Sequence, residues 1–387
     1  MIVVIFSDGT CTVDQKLLEK LLTERSLKLV QQNDTNKLMV VGQDSDQRAL
    51  QIKEDIGNKN GAKVLLNSYM RSGSSYMGRI LGHRQDVFYY YEPLWTNLIW
   101  VYHKGEEKLC SNIKPNQCKS NKVEFQTSRK ILQNVYNCEL RKIGPKFKEN
   151  PHSLVGYAGE KWQKFTDCRN QKRDQSTCLS LMEQTCRNNS YVVTKVLRLD
   201  LTLAEIILQD IPGLKIVHLF RDPRGAISSH VFTKWFPIKL EDLRSIEQDA
   251  EVLCDRMKTD IMAALKFHEK YPNRLRGIQY EDFYDAKEKV RLLYEYVGMT
   301  ADDSHLDFVE NLPNERGRTK YNSTDNHVTK LFSYRDVLPW RVVNVVEMHC
   351  SEVISLLGLN LFETENNYND KNFSPINGQL TFGLRKS

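Results

Sequence analysis

Apolar and polar positions along the chain fall into blocks whose period changes at defined points. KVLLNSY, beginning at Lys63, is a short apolar run of strand composition, and RSGSSYMGRILG after it takes up helical spacing. That change of period predicts a strand, a tight loop and a helix. SYVVTKVLRL then alternates as a strand, TLAEIILQDI has helical spacing, and GLKIVHLF is a continuous apolar run that stops at RDPRGAISSHV. Strand, helix, strand in this order predicts parallel pairing, so the class expected is α/β with a central parallel sheet flanked by helices. LCDRMKTDIMAALKFHEKY, VRLLYEYVGM and NVVEMHCSEVISLLGL return to helical spacing and predict three further helices.

Other regions carry weaker patterns. Residues 1–60 are polar and end in the turn GNKNG, which predicts a variable N-terminal segment ahead of a domain spanning 61–362. Between about 100 and 190 the periodicity breaks up among Lys-rich stretches and most of the cysteines. This predicts an irregular, Cys-containing insertion in the domain, not a second domain. Residues 363–387 are Asn-rich and are expected to form a loose C-terminal tail.

Composition narrows the classes. A chain of 387 residues with 40% hydrophobic content can bury a substantial core. Its formal net charge of +6 suits anionic ligands, but no concentrated Lys/Arg block is present, which argues against a nucleic-acid partner. The opening MIVVIF is far shorter than the roughly 20 apolar residues needed to span a bilayer, and no basic region precedes it. The sequence as it stands therefore predicts neither a transmembrane helix nor a signal peptide. Nine cysteines occur without a C-x-x-C pair, so no metal site is expected. Cys110 with Cys118, and Cys168, Cys178 and Cys186 among themselves, instead suggest stapled loops and an oxidising compartment. Sequons at Asn33, Asn188, Asn322 and Asn372 are compatible with that setting.

Two segments have the composition of anion sites. Arg71-Ser72-Gly73-Ser74-Ser75 follows a strand and opens a helix, so backbone N–H groups and the helix dipole would face an anion there in a P-loop-like way. The Gly-x-x-x-x-Gly-Lys-Ser/Thr pattern of ATP-binding loops is absent. Taken alone, SGSS reads better as a polar turn with a helix cap than as an anion site. Arg221 ends the strand KIVHLF, Asp222-Pro223 supplies a cap and first helical residue, and Ser229 lies on the helix that follows. Two such sites at two strand ends match a ligand with separated phosphates.

RSGSSYMG resembles the 5′-phosphosulfate loop of the sulfotransferases, and LFRDPRGAISSH resembles their 3′-phosphate segment. VFYYYEPLW, residues 87–95, is similar to a stretch of the Golgi carbohydrate 6-O-sulfotransferases of galactose, N-acetylgalactosamine and N-acetylglucosamine. The resemblance runs from about Lys63 to about Gly358 and implies the sulfotransferase fold, with 3′-phosphoadenylyl sulfate (PAPS) as donor and a glycan or glycosaminoglycan as acceptor. It implies that Arg71, Ser72, Gly73, Ser74, Ser75 and Tyr76 contact the 5′-phosphosulfate, and that Arg221 and Ser229 contact the 3′-phosphate. Lys195 and Arg198 match the family's Lys-x-x-Arg. In SYRDVLPWR, Arg335, Trp340 and Arg341 become candidates for the adenosine side. Cys254 and Cys350 match family positions and are implied to pair. The family is Golgi-resident and membrane-anchored, whereas no anchoring helix is found in this sequence.

Sulfuryl transfer needs in-line geometry, neutralised oxygens and removal of the acceptor's proton. Arg71 is the candidate for charge stabilisation and Glu92, at the end of an aromatic strand, for the general base, with partial burial expected to raise its pKa. A structural carboxylate paired with an Arg is the alternative for Glu92. His83 and His230 are reserve bases, and Tyr89, Tyr90, Tyr91 and Trp95 could face a sugar ring or simply fill the core. A nucleotide kinase and a catalytically inactive glycan-binding relative are the rival readings.

Overall fold

The computed structural model describes residues 62–95, 98, 100–147, 160–271, 273–311 and 331–378, with four short strands before residue 42. The chain divides into two units, Met1–Lys59 and Asn60–Ser387. In the first, Phe6–Ser7 pairs antiparallel with Thr10–Cys11, and Lys28–Val30 with Met39–Val41.

The second unit begins with β1 (Lys63–Ser68), α1 (Ser74–Gly82) and β2 (Val87–Tyr91). The insertion follows, with β3 (Val101–Lys104), β4 (Lys108–Ser111), β5 (Cys118–Ser120), α2 (Lys122–Tyr136), α3 (Gln163–Asn170) and α4 (Gln175–Arg187). Next come β6 (Tyr191–Val196), α5 (Ala204–Asp210), β7 (Leu214–Phe220), α6 (Pro223–Val231), α7 (Leu243–Lys270) and β8 (Leu275–Gln279). The chain continues through α8 (Ala286–Val297), α9 (Asp303–Asn311), α10 (Tyr334–Val337), α11 (Trp340–Leu356) and α12 (Glu365–Asn369).

Five strands form one sheet in the order β8-β7-β1-β6-β2, every neighbouring pair parallel. β1 lies at its centre and five of its six residues are buried, as a strand covered on both faces requires. The α/β class with a parallel sheet and flanking helices therefore holds. β8 was not anticipated: LRGIQ carries an Arg and a Gly and has no clear alternation. The aromatic strand β2 divides its side chains. Phe88 and Tyr90 pack on Trp162 from the insertion, whose indole N–H donates to the Tyr89 carbonyl at 2.9 Å. Tyr89 instead covers Gly78 and Gly82 of α1, where a Cβ would collide with its ring.

The insertion has more regular structure than its sequence suggests. β3, β4 and β5 form an antiparallel sheet, and Cys110–Cys118 joins an opposed pair on β4 and β5. Cys168–Cys178 links α3 to α4. Cys186 is bonded to Cys138, a pairing that sequence spacing did not single out. Cys254–Cys350 joins the packed helices α7 and α11. The tail expected after Phe362 to be loose is folded as far as residue 378. Tyr368 of α12 is buried and donates to the Leu338 carbonyl at 2.8 Å, and Ile376 bridges to Leu359. No helix among the described residues is long and apolar enough to cross a membrane.

Candidate active site

The carboxyl ends of all five parallel strands open into one cavity of about 600 Å³. β1 leads to Met70, Arg71, Gly73, Ser74 and Ser75; β2 ends at Tyr91 and Glu92; β6 gives Lys195, Leu197 and Arg198; β7 gives Arg221; β8 gives Tyr280. α6 adds Ser229, and connecting segments add Trp95, Trp100 and Trp235. The end of an open parallel sheet is where this fold type leaves room for a ligand.

The loop after β1 is held from beneath. Ser68 Oγ donates to the Leu219 carbonyl at 2.7 Å, and Ser72 Oγ to the Tyr69 carbonyl at 2.7 Å. Ser72 is fully buried and its hydroxyl braces the turn instead of lining the cavity. Arg71 and Gly73 both have left-handed backbone, with φ of 61° and 86°. For Gly73 this is easy, and a Cβ there would also strike the Tyr280 ring. The Gly73 carbonyl accepts the first helical bond from Met77 N at 3.1 Å, which leaves the first-turn amides of α1 and the positive end of its dipole at the loop. Tyr76 is buried on α1, its ring 6.2 Å from that of Tyr280, and does not line the cavity.

The second anion element touches the first. Arg221 Nη1 donates to the Arg71 carbonyl at 2.7 Å, and Arg71 Nε donates to Ser229 Oγ at 3.0 Å. The Arg221 guanidinium lies 4.9 Å over the Tyr280 ring, and its Nε is buried with no hydrogen-bond partner among the described residues. α6 starts as its sequence predicts, with Pro223 in the first turn and Asp222 accepting from Arg224 N at 2.9 Å. Beneath it the buried Arg224 bridges Asp222 and Glu347 at 2.9 and 2.7 Å. Glu281, after β8, accepts from Asp222 N at 3.1 Å with one oxygen, while the other has no hydrogen-bond partner among the described residues. Burial and then Asp222 push its pKa up to about 8, against the opposing pull of Arg221.

Glu92 does not have the environment expected of it. It is buried, has φ 45°, and its N–H donates to the Lys195 carbonyl at 3.0 Å. Oε1 lies 2.8 Å from Lys195 Nζ, and Oε2 accepts from Arg198 Nη1. Burial pushes the carboxyl upward, yet Lys195 and Arg198 outweigh it and the group titrates below its ordinary value. The expected upward shift is thus corrected: two cations offset the desolvation. Burial also lowers Lys195, opposed by Glu92. Lys195 Nζ lies 4.0 Å over Tyr91 and 3.4 Å from Ser75 Oγ, so it connects β2 to the loop.

The reserve histidines are occupied elsewhere. His230 places Nδ1 2.5 Å from Asp249 Oδ2 and Nε2 3.2 Å from the Met70 carbonyl, so it has the orienting partner its sequence context did not reveal. It supports the loop from behind and does not line the cavity. His83 stacks on Phe308 at 3.4 Å, also outside the cavity lining.

Arg335, Trp340 and Arg341 are not among the lining residues. Arg335 donates to the carbonyls of Tyr368, Asp370 and Phe373 at 2.8, 2.6 and 3.0 Å, closing the end of α12. Trp340 packs on Tyr368 at 5.8 Å and Arg341 is exposed on α11. The geometry gives the first two structural work, which is the commoner role of an Arg beside aromatic rings. In contrast, sequence reasoning missed Tyr280, Trp100 and Trp235. The apolar W-F pair at Trp235 and Phe236, after the Arg221 helix, was an available signal.

Among the described residues no group of three or more His, Cys, Asp or Glu could hold a metal ion. An open parallel sheet with Arg71 and Arg221 linked across adjacent strand ends defines an α/β protein with a cationic cleft at the carboxyl edge of its sheet. The model of the Sulfotransferase family matches residues 64–303, more than half of the chain, and the chain belongs to that family. Carbohydrate sulfotransferase 1 of Danio rerio is 24% identical over 335 residues, covering 76% of this chain and 77% of the relative. Carbohydrate sulfotransferase 4 of Mus musculus is 25% identical over 327 residues, covering 76% and 81%. Among solved structures, mouse sulfotransferase SULT7A1 complexed with PAP is 10% identical with a TM-score of 0.38, covering 89% of this chain and 99% of that one.

Proposed function

We propose that this sulfotransferase uses PAPS as donor and transfers the sulfuryl group to a carbohydrate hydroxyl, the 6-O position of galactose, N-acetylgalactosamine or N-acetylglucosamine in a glycan or glycosaminoglycan. The observation that carries the donor assignment is the pair of linked anion elements. Among the described residues, four cations, Arg71, Lys195, Arg198 and Arg221, line the cavity against one carboxylate, Glu92. The Nε of Arg221, buried and without a hydrogen-bond partner among the described residues, is a donor that an anion would satisfy. The acceptor class rests on the carbohydrate sulfotransferases to which the chain is similar. The 6-O position rests on the EPLW resemblance.

In this reading Arg71, Ser74, Ser75 and the first-turn amides of α1 hold the 5′-phosphosulfate, with Gly73 giving the backbone its close approach. Arg221 and Ser229 hold the 3′-phosphate. The donor supplies an activated sulfuryl group. Glu92, ionised at neutral pH, accepts the acceptor's hydroxyl proton, and Lys195 steadies both Glu92 and the oxygens beside Ser75. A lowered pKa makes Glu92 a weak base. That suffices where positioning and charge neutralisation supply most of the acceleration and the proton leaves late, as in loose phosphoryl transfers. Disulfides support work in an oxidising lumen, the Golgi of the resembled family.

Calorimetry with 3′-phosphoadenosine 5′-phosphate (PAP) tests the donor assignment. Saturable binding at one site is expected, and no binding would overturn it. Binding without transfer to any glycan would favour the inactive glycan-binding relative.

A further inference from the structure

Three of the five tryptophans in the sequence, Trp95, Trp100 and Trp235, line the same cavity. Trp235 is 57% exposed and Phe232, on the same connection, is 54% exposed. An indole left in water forgoes burial of roughly 150–250 Å², so a rim of this kind marks a surface that is covered in use. The sequence holds Trp235 outward. Its neighbour Phe236 is buried and stacks on His230 with ring centroids 4.0 Å apart, anchoring the segment that follows α6.

The Trp100 and Trp235 rings are 6.0 Å apart and inclined at 47°, a notch instead of a stack. Phe236 supports Trp100 edge-on at 5.6 Å. The Arg71 guanidinium lies 6.0 Å from the Trp235 ring, so the notch borders the loop assigned above to the sulfuryl end of the donor.

We propose that Trp100 and Trp235 form the subsite for the acceptor, gripping the apolar C–H face of a pyranose ring beside Arg71. This inference rests on the sulfotransferase reading given above. A sugar ring is polar at its edge and apolar on its faces, so an aromatic wall next to charged groups fits it on both counts. The other flat occupant would be the donor's adenine. The exposure of Trp235 argues for the acceptor, because an extended glycan needs an open mouth whereas a small nucleotide is largely enclosed when bound.

Trp100→Ala, Trp235→Ala and Trp235→Phe are to be compared with the unaltered protein in two assays. One is transfer from PAPS to desulfated keratan, chondroitin and N-glycan oligosaccharides, and the other is PAP calorimetry. With the best oligosaccharide, each alanine variant should raise the acceptor KM about tenfold, as expected for losing an aromatic contact of about 1.4 kcal/mol. PAP affinity should stay within about twofold, because the notch is assigned no donor contact. Trp235→Phe, which keeps an aromatic face at this position, should keep most of the acceptor affinity. An unchanged acceptor KM in an active enzyme would overturn the subsite and leave the sulfotransferase reading standing. PAP affinity falling in step with acceptor affinity would assign the notch to adenine and also overturn it. Wild-type protein that binds PAP but sulfates no oligosaccharide would remove the catalytic reading and the subsite with it.

Discussion

Replacing Glu92 with Gln removes one negative charge from between two buried cations. Lys195 and Arg198 have side chains 1% and 3% exposed, and both bond the same carboxylate. Breaking a buried ion pair from one side typically costs about 3–5 kcal/mol, because the partner stays buried and unbalanced. Glu92→Gln should therefore lower unfolding stability by about that amount in urea titrations. PAP binding should be kept or tightened, since both cations become available to an anion. If Glu92 takes the acceptor's proton, kcat should fall about 10²- to 10⁴-fold. Added formate should restore part of the turnover of Glu92→Ala. In the unaltered enzyme kcat should be flat at neutral pH and fall on acidification only below the ordinary carboxylate range, because Lys195 and Arg198 offset the effect of burial on this group. Normal turnover in a folded Glu92→Gln protein would refute the base assignment. A matching loss of PAP affinity would show that Glu92 only holds the cavity together.

Arg221→Ala should weaken PAP by about 10- to 150-fold, the equivalent of about 1.5–3 kcal/mol for a charged hydrogen bond, and unchanged affinity in calorimetry would refute the 3′-phosphate assignment. Arg71→Lys should reduce kcat while folding normally, since Lys cannot donate to Ser229 and an anion with the same planar fork; full activity would show that charge alone suffices. Gly73→Ala combines a left-handed backbone, costing about 1–2 kcal/mol, with displacement of Tyr280, on which Arg221 rests, so both stability and PAP affinity should fall. Glu281 keeps its proton in the folded state up to about pH 8 but loses it near 4.5 when unfolded, so its contribution to stability is complete below 4.5 and is lost as pH rises to about 8. Glu281→Gln should flatten that fall in urea titrations, and an unchanged pH slope would contradict the assignment.

The parts of the fold legible in the sequence are those where local pattern and tertiary role coincide. The change of period at RSGSS marks β1, the loop and α1, and Asp222-Pro223 marks the start of α6 because cap chemistry is local. β8 escaped because a short strand with Arg276 and Gly277 is defined only by pairing with β7. The environment of Glu92 was hidden for a similar reason. Lys195 and Arg198, which together reverse the expected pKa shift, lie more than a hundred residues along the chain from Glu92, Arg198 at a separation of 106. The surroundings of Arg335 and Trp340 were hidden because their partners lie in a tail that reads as loose, where Arg335 donates to carbonyls at the end of α12 and Trp340 packs on Tyr368. Trp235 was readable only in part: its exposure depends on which of Trp235 and Phe236 turns inward, and His230 decides that.

The central claim is sulfuryl transfer from PAPS to a sugar. Incubating the protein with sulfate-labelled PAPS and desulfated keratan, chondroitin and N-glycan acceptors tests it most directly. The account predicts label on at least one glycan, at the 6-O position, with PAP as the other product and with transfer lost in Arg221→Ala. Label on no glycan, from a protein that still binds PAP, would contradict it.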